Sequence, residues 1–410
     1  MIAPDGFIGA VMAVEGFRDS LTVLHSPDGC RMNIAVLANK CYPRIDPNNK
    51  TSFFSSGNRV PCTSISPDDY IFGGYEKLVD TLKKNSPGHE VIAIISSPGA
   101  SLIGDDCERA ARECGVLDKT VIMDAKMISR PINEGIDVTL TSIADRFLSK
   151  TDCRRKGTVN LLGISILFRD WEAVVEEFRQ LLELMGLEVI AAVGAGCSME
   201  DFIESSSAEF NAVIAPEYAE SLSSFYEKRF GTRTISLDYS PVGFKATEEW
   251  VMKVSEVTGK DPAKALERIR KVKHRAFQRM MSVRTDVRGN SFAIDANPSV
   301  AYPLTRSMVE DLLMAPSSVR FCGISHEPSE MLLRSYLKER RMDSSIEADP
   351  QNYTDFILSN GNQALIEQTS GRCRKGIDIS FPSSYAVCFQ RAPVFGTYGA
   401  MYILDRILNP

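Results

Sequence analysis

Short apolar runs rich in valine and isoleucine alternate along the chain with longer amphipathic segments of helical period. Such runs are typical of strands buried in a parallel sheet, and the amphipathic segments are typical of helices that cover it. The clearest pairs are a strand at 91–95 with a helix at 105–114, and a strand at 159–162 with a helix at 171–185. Further strands are predicted at 21–24, 189–193 and 212–214, and a further helix at 218–230. The pattern predicts an α/β fold with ligands bound outside the carboxyl ends of the strands.

Two polar stretches divide this pattern into three parts. Residues 150–157 form a charged connector before the strand at 159, and residues 288–290 precede a strand at 291–294. The second stretch follows a long helix that is predicted to begin at Asp261-Pro262, an N-cap residue and a favoured first-turn proline. We therefore expect three α/β domains of ordinary size, an N-terminal one at 1–155, a middle one at 156–287 and a C-terminal one at 288–410.

The charge of the chain argues against a polyanionic partner. The 410 residues include 47 Lys or Arg and 53 Asp or Glu, so the formal net charge is -6 and no basic excess favours nucleic-acid binding. No window approaches the roughly 18 apolar residues of a membrane span, and the first residues lack the basic and apolar regions of a signal peptide. We expect a cytoplasmic protein with neither nucleic-acid nor membrane partners.

Ten cysteines are unusual beside only four histidines. No two of them have the C-x-x-C spacing of zinc ribbons and thioredoxin-like sites, and in a reducing compartment most free cysteines are small buried hydrophobes. Cys30 stands out because the turn-forming residues of His25-Ser26-Pro27-Asp28-Gly29-Cys30 place its thiol on a tight loop after the strand at 21–24. Backbone N–H groups there could point at a soft anion or a cluster sulfide, and the plain alternative is a buried turn cysteine.

Signatures of nucleotide hydrolysis and of serine or cysteine hydrolases are absent from the sequence. It has no G-x-x-x-x-G-K-[ST] segment, so we do not expect nucleotide hydrolysis through a P-loop. Gly194-Ala195-Gly196 begins like a dinucleotide fingerprint, but Met199 stands where the third glycine belongs, which favours a tight turn at a strand end. None of the histidines lies in a recognisable nucleophile signature.

The segment around Cys30 belongs to an ordered series of motifs. The others are Gly9-Ala10-Val11-Met12-Ala13, Gly16-Phe17, Asp69-Tyr70-Ile71-Phe72-Gly73-Gly74, Leu102-Ile103-Gly104-Asp105-Asp106, Pro241-Val242-Gly243, Thr247-Glu248-Glu249, the run at 252–259, and Pro393-Val394-Phe395-Gly396-Thr397-Tyr398-Gly399-Ala400. In this order they resemble the β-type chains of the nitrogenase component 1 superfamily over essentially the whole sequence.

The resemblance implies three Rossmann-like domains, with parallel sheets covered by helices, in an α2β2-type heterotetramer or a related assembly. A separate ATP-hydrolysing iron–sulfur reductase would deliver electrons, consistent with the missing P-loop. The family's Phe-Gly-Gly and Ile-Gly-Asp-Asp elements lie near the reductase-docking surface, which carries over to Phe72, Leu102 and Ile103; ordinary core or turn residues are the alternative. The family's large cofactor is held by a Cys and a His of the α-type chain, so we expect substrate reduction on that partner and no catalytic residue in this chain.

The chain departs from the family pattern at the cluster ligands. A catalytic β-type subunit supplies three cysteines to an eight-iron P-cluster, and by the motif spacing these fall at Asp5, Cys30 and Pro98. Only Cys30 remains a thiolate donor, since Asp5 offers a harder oxygen and Pro98 offers no donor. Ser97 and Cys62 are further candidates, although Cys62 matches no ligand position. The pattern favours a four-iron four-sulfur cluster, shared with an α-type partner, over a P-cluster.

The leading hypothesis is a β-type subunit of a nitrogenase-like reductase complex, an oxidoreductase in which Cys30 helps ligate an interfacial iron–sulfur relay. The alternative is a non-catalytic scaffold subunit for the assembly of a nitrogenase cofactor. A metal-free binding module that kept the fold is a third possibility, because fold does not fix function. Under the leading hypothesis, the eight cysteines other than Cys30 and Cys62 are interpreted as core residues.

Overall fold

Three parallel sheets form the framework of the residues that the computed structural model describes, which are 5–41, 60–123, 129–150, 154–281, 284–348, 353–383 and 390–409. Their strands are β1 Ser20–His25, β2 Val91–Ser96, β3 Thr120–Met123, β4 Arg155–Leu162, β5 Glu188–Ala192, β6 Ala208–Val213, β7 Arg233–Ile235, β8 Ser291–Ala296, β9 Ala315–Phe321, β10 Thr354–Asn360 and β11 Cys373–Ser380. The strand orders are β1-β2-β3, β5-β4-β6-β7 and β11-β10-β8-β9.

Helices connect the strands in the manner expected of parallel sheets. In chain order they are α1 Gly6–Glu15, α2 Asp28–Cys41, α3 Asp69–Phe72, α4 Tyr75–Asn85, α5 Pro98–Ile103, α6 Cys107–Glu113, α7 Ile132–Phe147, α8 Trp171–Leu184, α9 Met199–Glu204, α10 Glu220–Phe230, α11 Gly243–Thr258, α12 Ala263–Met280, α13 Arg284–Val287, α14 Pro298–Asp311, α15 Glu327–Glu339, α16 Gly361–Thr369 and α17 Gly396–Leu408. No helix of the described segments is long and apolar enough to cross a membrane.

Contacts between residues divide the chain into two compact units. The first unit comprises Met1–Arg154, Ile190–Ser207 and Glu220–Gly231. The second unit comprises Arg155–Val189, Ala208–Ala219 and Thr232–Pro410.

The first unit contains the β1-β2-β3 sheet, and every residue of β1 and β2 is buried. Continuously buried apolar strands are what a sheet covered on both faces requires. The two strands pair in parallel until His25 lies beside Ser96, so the turns that follow them meet at one edge of the sheet. Helix α1 packs so closely against α7 that a Cβ on Gly9 would overlap the carbonyl oxygen of Ile132.

In the second unit, the last helix begins on a buried carboxylate. The backbone N–H groups of Thr397 and Tyr398 donate to Glu177 over 2.7 and 3.1 Å, which satisfies two of the donors that a helix start leaves open. Gly396 lies directly against this carboxylate with φ +76°, and a Cβ there would overlap Glu177 Oε2. The glycine of this motif therefore allows the start of α17 to pack directly against Glu177 of α8.

The predicted α/β class is confirmed by the three parallel sheets. The strands predicted at 91–95, 159–162 and 291–294 lie within β2, β4 and β8. The helix predicted with Asp261 as its N-cap and Pro262 in its first turn begins one residue later, at Ala263 with Pro262 as the N-cap. The Asp261 carboxylate accepts the Ala263 N–H over 3.0 Å from outside the helix. The three domains at 1–155, 156–287 and 288–410 stay a prediction.

The interpretation of eight cysteines as core residues is only partly correct. Cys197 and Cys373 are buried, as expected. The interpretation is wrong for Cys322, which is exposed after the carboxyl end of β9 and donates its S–H to Asn297 Oδ1 over 3.0 Å. Cys41, Cys107 and Cys114 are half-buried, and Cys153 and Cys388 lie outside the described residues.

Candidate functional site

Cys30 lies where the chain turns from β1 into α2. Because β1 ends at His25 and α2 begins at Asp28, Cys30 is the third residue of the helix and not part of a longer loop. Its N–H donates to the Pro27 carbonyl over 3.1 Å, and the residue is half-buried. The first turn of a helix presents N–H groups and a positive dipole end that attract negative charge, an effect that opposes the influence of burial on this thiol. A tight turn does follow β1, but the prediction that it carries the Cys30 thiol is wrong, because the helix already begins at Asp28 and the thiol lies in its first turn.

A second thiol lies against the same turn. The segment from Val60 to Ile65 runs beside the end of β1, with the Leu24 N–H donating to the Pro61 carbonyl over 2.8 Å. This pairing brings Cys62 to Ser26, where Sγ donates to the Ser26 carbonyl over 3.0 Å and lies 3.2 Å from Ser26 Oγ. Burial raises the pKa of the Cys30 thiol, and the nearby Cys62 raises it further.

One buried carboxylate joins three of the sequence motifs. Asp105 Oδ2 accepts the Gly74 N–H over 2.8 Å and lies 3.0 Å from His25 Nε2. The other imidazole nitrogen of His25 lies 3.2 Å from Thr63 Oγ1, whose oxygen also accepts the Ser26 N–H over 3.1 Å. Burial lowers the pKa of His25, against the opposing effect of Asp105. Because both of its ring nitrogens are hydrogen-bonded, His25 positions the turn and is not itself available as a ligand.

Ile71, Phe72 and Leu102 form an exposed surface close to this network, which we call the apolar surface. These side chains are 76%, 84% and 87% exposed. Their helices α3 and α5 pack against each other, with the Tyr70 hydroxyl against Gly99. Of the three residues predicted for reductase docking, Phe72 and Leu102 are thus largely exposed, whereas Ile103 is half-buried.

The positions where the family pattern has its other two cysteines are helix starts in this chain. Asp5 is the N-cap of α1, and its Oδ1 accepts the N–H groups of Phe7 and Ile8, both over 3.1 Å. Pro98 is the first residue of α5, and the buried Ser97 caps that helix by accepting the Ala100 N–H over 3.3 Å. Asp and Ser–Pro are favoured at these positions for helix initiation alone. Their local roles need no metal.

The donor set in this part of the chain fits a soft metal only in part. Two thiols, Cys30 and Cys62, lie at the edge of the β1-β2-β3 sheet, and thiolates are the ligands that iron–sulfur clusters prefer. Among the residues that the structure describes, no group of three or more His, Cys, Asp or Glu could hold a metal ion. Within the described residues, these two thiols therefore do not form a complete metal site by themselves.

Comparison with known proteins agrees with this α/β architecture. The chain belongs to the nitrogenase component 1 type oxidoreductases, whose family model matches residues 6–410. It is 24% identical to the nitrogenase molybdenum-iron protein beta chain of Crocosphaera subtropica over 409 residues, which covers 94% of this chain and 74% of that one.

The chain is also similar to a reductase subunit and to a solved structure. The chain is 30% identical over 185 residues to one subunit of the light-independent protochlorophyllide reductase of Jannaschia sp., covering 44% of this chain and 34% of that one. Its fold matches the solved structure titled "Nitrogenase Cp1 at pH 6.5" with a TM-score of 0.79 and 16% identity, over 99% of this chain and 92% of that one. The predicted resemblance is confirmed, and the chain is a β-type, nitrogenase-like component 1 subunit.

The sequence motifs alone do not show what links them. Asp105 and Thr63, the two partners of His25, have no role that the sequence assigns, although Asp105 stands inside one of the ordered motifs. The available signal is the presence of a histidine and an aspartate in separate motifs without a function of their own. His25 and Asp105 are 80 positions apart in the sequence, so only the folded chain shows that they are paired.

Proposed function

We propose that this chain is the β-type subunit of a nitrogenase-like reductase complex and that Cys30 supplies one thiolate to an iron–sulfur cluster shared with an α-type partner. The observation that carries the proposal is the half-buried Cys30 thiol in the first turn of α2, at a sheet edge where the described residues offer few further donors. A four-iron four-sulfur cluster fits this supply better than an eight-iron P-cluster, because it needs four protein ligands in total. When bound, such a cluster supplies one-electron transfer.

The residues around Cys30 act by holding its thiol in place. The His25–Asp105 contact fixes the end of β1, and the bond from the Ser97 N–H to the His25 carbonyl over 3.0 Å fixes the turn after β2 to it. A ligand on rigid elements keeps its geometry when the oxidation state changes. Half-burial of Cys30 lowers the local dielectric while leaving a face open to a partner chain.

The reductase would dock on the apolar surface of Ile71, Phe72 and Leu102. Large exposed apolar side chains on adjacent helices are characteristic of protein–protein contacts. An ATP-hydrolysing iron–sulfur reductase is the proposed partner, because this chain has no P-loop of its own. The complex is proposed to be a cytoplasmic heterotetramer, with substrate reduction on the α-type chain.

Docking is tested by Phe72→Ala and Leu102→Ala in the complex purified with its α-type partner. Loss of one central apolar anchor costs over about 1.4 kcal/mol, so the half-saturating reductase concentration in ATP-dependent turnover rises roughly tenfold. Met281→Ala, at an 80% exposed position in the second unit, is the matched control and leaves it unchanged. An unchanged half-saturating concentration in both docking variants would contradict the assignment.

A further inference from the structure

Cys62 lies on an extended segment that pairs with the end of β1, beside the turn that leads to Cys30. The isolated bridge between Leu24 and Cys62, and the bond from the Ile65 N–H to the Ser26 carbonyl over 3.1 Å, align this segment with the residues that lead into α2. The side chain of Cys62 therefore reaches the turn that leads to Cys30. This placement brings together two thiols that are 32 positions apart in the sequence.

The surroundings of Cys62 Sγ suit a thiolate as well as a thiol. As a thiol, the group donates to the Ser26 carbonyl over 3.0 Å. As a thiolate, it would accept from Ser26 Oγ–H, 3.2 Å away, and from the Ser64 N–H over 3.4 Å. Hydrogen bonds from N–H and O–H groups to the sulfur stabilise cluster thiolates and tune their potential. Metal binding displaces the thiol proton, so Cys62 Sγ can then no longer donate to the Ser26 carbonyl. The Ser26 hydroxyl and the Ser64 amide would instead donate hydrogen bonds to the sulfur.

The backbone of Ser64 has an unfavourable conformation that is held by contacts with the Cys30 turn. It is a non-glycine residue with φ +54°, a conformation that costs about 1 kcal/mol or more. Its hydroxyl donates to Asp28 Oδ1 over 2.9 Å, which ties it to the first residue of α2. The strained residue thus aims its N–H at Cys62 Sγ while its side chain bonds to the helix that carries Cys30.

We propose that Cys62 is a second thiolate ligand of the cluster, so that this chain supplies two of its ligands, Cys30 and Cys62, and the partner supplies the rest. The proposal rests on the proposed function, because it needs the shared cluster to exist. It goes beyond the family pattern, in which position 62 is not a ligand. Each ligation step releases one proton from a thiol and forms one iron–sulfur bond, with no change in oxidation state.

The test uses the complex purified anaerobically through a tag on this chain, as wild type, Cys30→Ala, Cys62→Ala, Cys62→Ser and the control Cys322→Ser. We expect iron release to a chelator about tenfold faster in Cys62→Ala than in wild type. Cys62→Ser keeps an oxygen donor, so it retains iron but shifts the electron paramagnetic resonance signal of the reduced cluster. Cys322→Ser, which alters an exposed thiol in the second unit, behaves as wild type.

Alkylation of the thiols gives a readout that does not depend on the spectrum. We expect Cys30 and Cys62 to be protected together in the holo complex and to be alkylated together once iron is removed. A cluster that keeps its signal and its iron-release rate in both Cys62 variants, but is lost in Cys30→Ala, overturns the Cys62 proposal and leaves the proposed function intact. A Cys30–Cys62 disulfide in the anaerobic wild-type complex also overturns it. A wild-type complex without iron overturns both.

Discussion

Removal of the Asp105 carboxylate should open the turn that leads to Cys30. In Asp105→Ala, the Gly74 N–H and His25 Nε2 lose an acceptor that lies 2.8 and 3.0 Å away, and the Asp105 side chain is only 7% exposed. A buried donor left unsatisfied costs about 1–3 kcal/mol, and water that enters the space left by the carboxylate recovers part of the loss at the buried Gly74 and His25, so we expect about 2–4 kcal/mol in total. Because a chain of two units need not unfold in one step, local opening is the quantity to measure.

Hydrogen exchange with mass spectrometry measures this opening directly. A cost of 2–4 kcal/mol corresponds to exchange that is roughly 30- to 700-fold faster in peptides covering the Cys30 turn and Gly74. Asp106→Ala is the matched control, because the neighbouring Asp106 caps α6 by accepting the Arg109 N–H over 2.9 Å and costs about 1 kcal/mol when removed. If exchange in these peptides is no faster in Asp105→Ala than in Asp106→Ala, the carboxylate does not hold the turn.

Three further outcomes follow from buried groups. Burial raises the pKa of Glu217 to about 7 from 4.5, so its contribution to stability is complete below pH 4.5 and is lost as the pH rises through 7. Glu217→Gln should therefore gain about 3 kcal/mol over wild type at pH 8 relative to pH 4. The assay is urea titration read by the fluorescence of the two tryptophans, which both lie in the second unit. Gly396→Ala should cost about 3 kcal/mol or more in the same assay, because its Cβ overlaps Glu177 and its φ is +76°. Gly289→Ala, with φ +80° and open space around its Cβ, should cost only about 1–2 kcal/mol; equal losses would refute the overlap. Burial lowers the pKa of His25 from 6.5, so the stability it contributes is present above pH 6.5 and is lost as the pH falls through its folded-state pKa. Exchange at the Cys30 turn, taken relative to the intrinsic amide exchange rate at each pH, should therefore rise on acidification, and a flat relative rate between about pH 7 and 5 would contradict this.

Periodicity in the sequence was sufficient for the fold class because the strands are continuously apolar. The runs at 91–95 and 159–162 are buried along their whole length, and such runs have few alternatives in a chain of this size. Helix starts were less predictable. The helix expected at 105–114 begins at Cys107, because the Asp106 side chain caps it from outside. Local side-chain hydrogen bonds decide such boundaries, and hydrophobic patterning does not report them.

The candidate site was predictable only where one short segment carries it. Cys30 became a candidate through the turn-forming residues of its own segment and the resemblance of that segment to a family motif. Cys62 and Asp105 reach the same turn through strand pairing and a hydrogen bond between residues 80 positions apart, which no local pattern encodes. The exposure of Phe72 and Leu102 likewise depends on how α3 and α5 pack, since an isolated apolar residue is normally expected in the core.

Iron and acid-labile sulfide in the anaerobically purified complex decide whether Cys30 ligates a shared cluster. Wild type should contain both, with a reduced-state paramagnetic signal, and Cys322→Ser should match it. Cys30→Ala should still associate with its α-type partner but lose the signal, or show it altered with iron that is released at least about tenfold faster. A wild-type complex without iron, or a cluster unchanged in content and spectrum in Cys30→Ala, would contradict the role proposed for this chain.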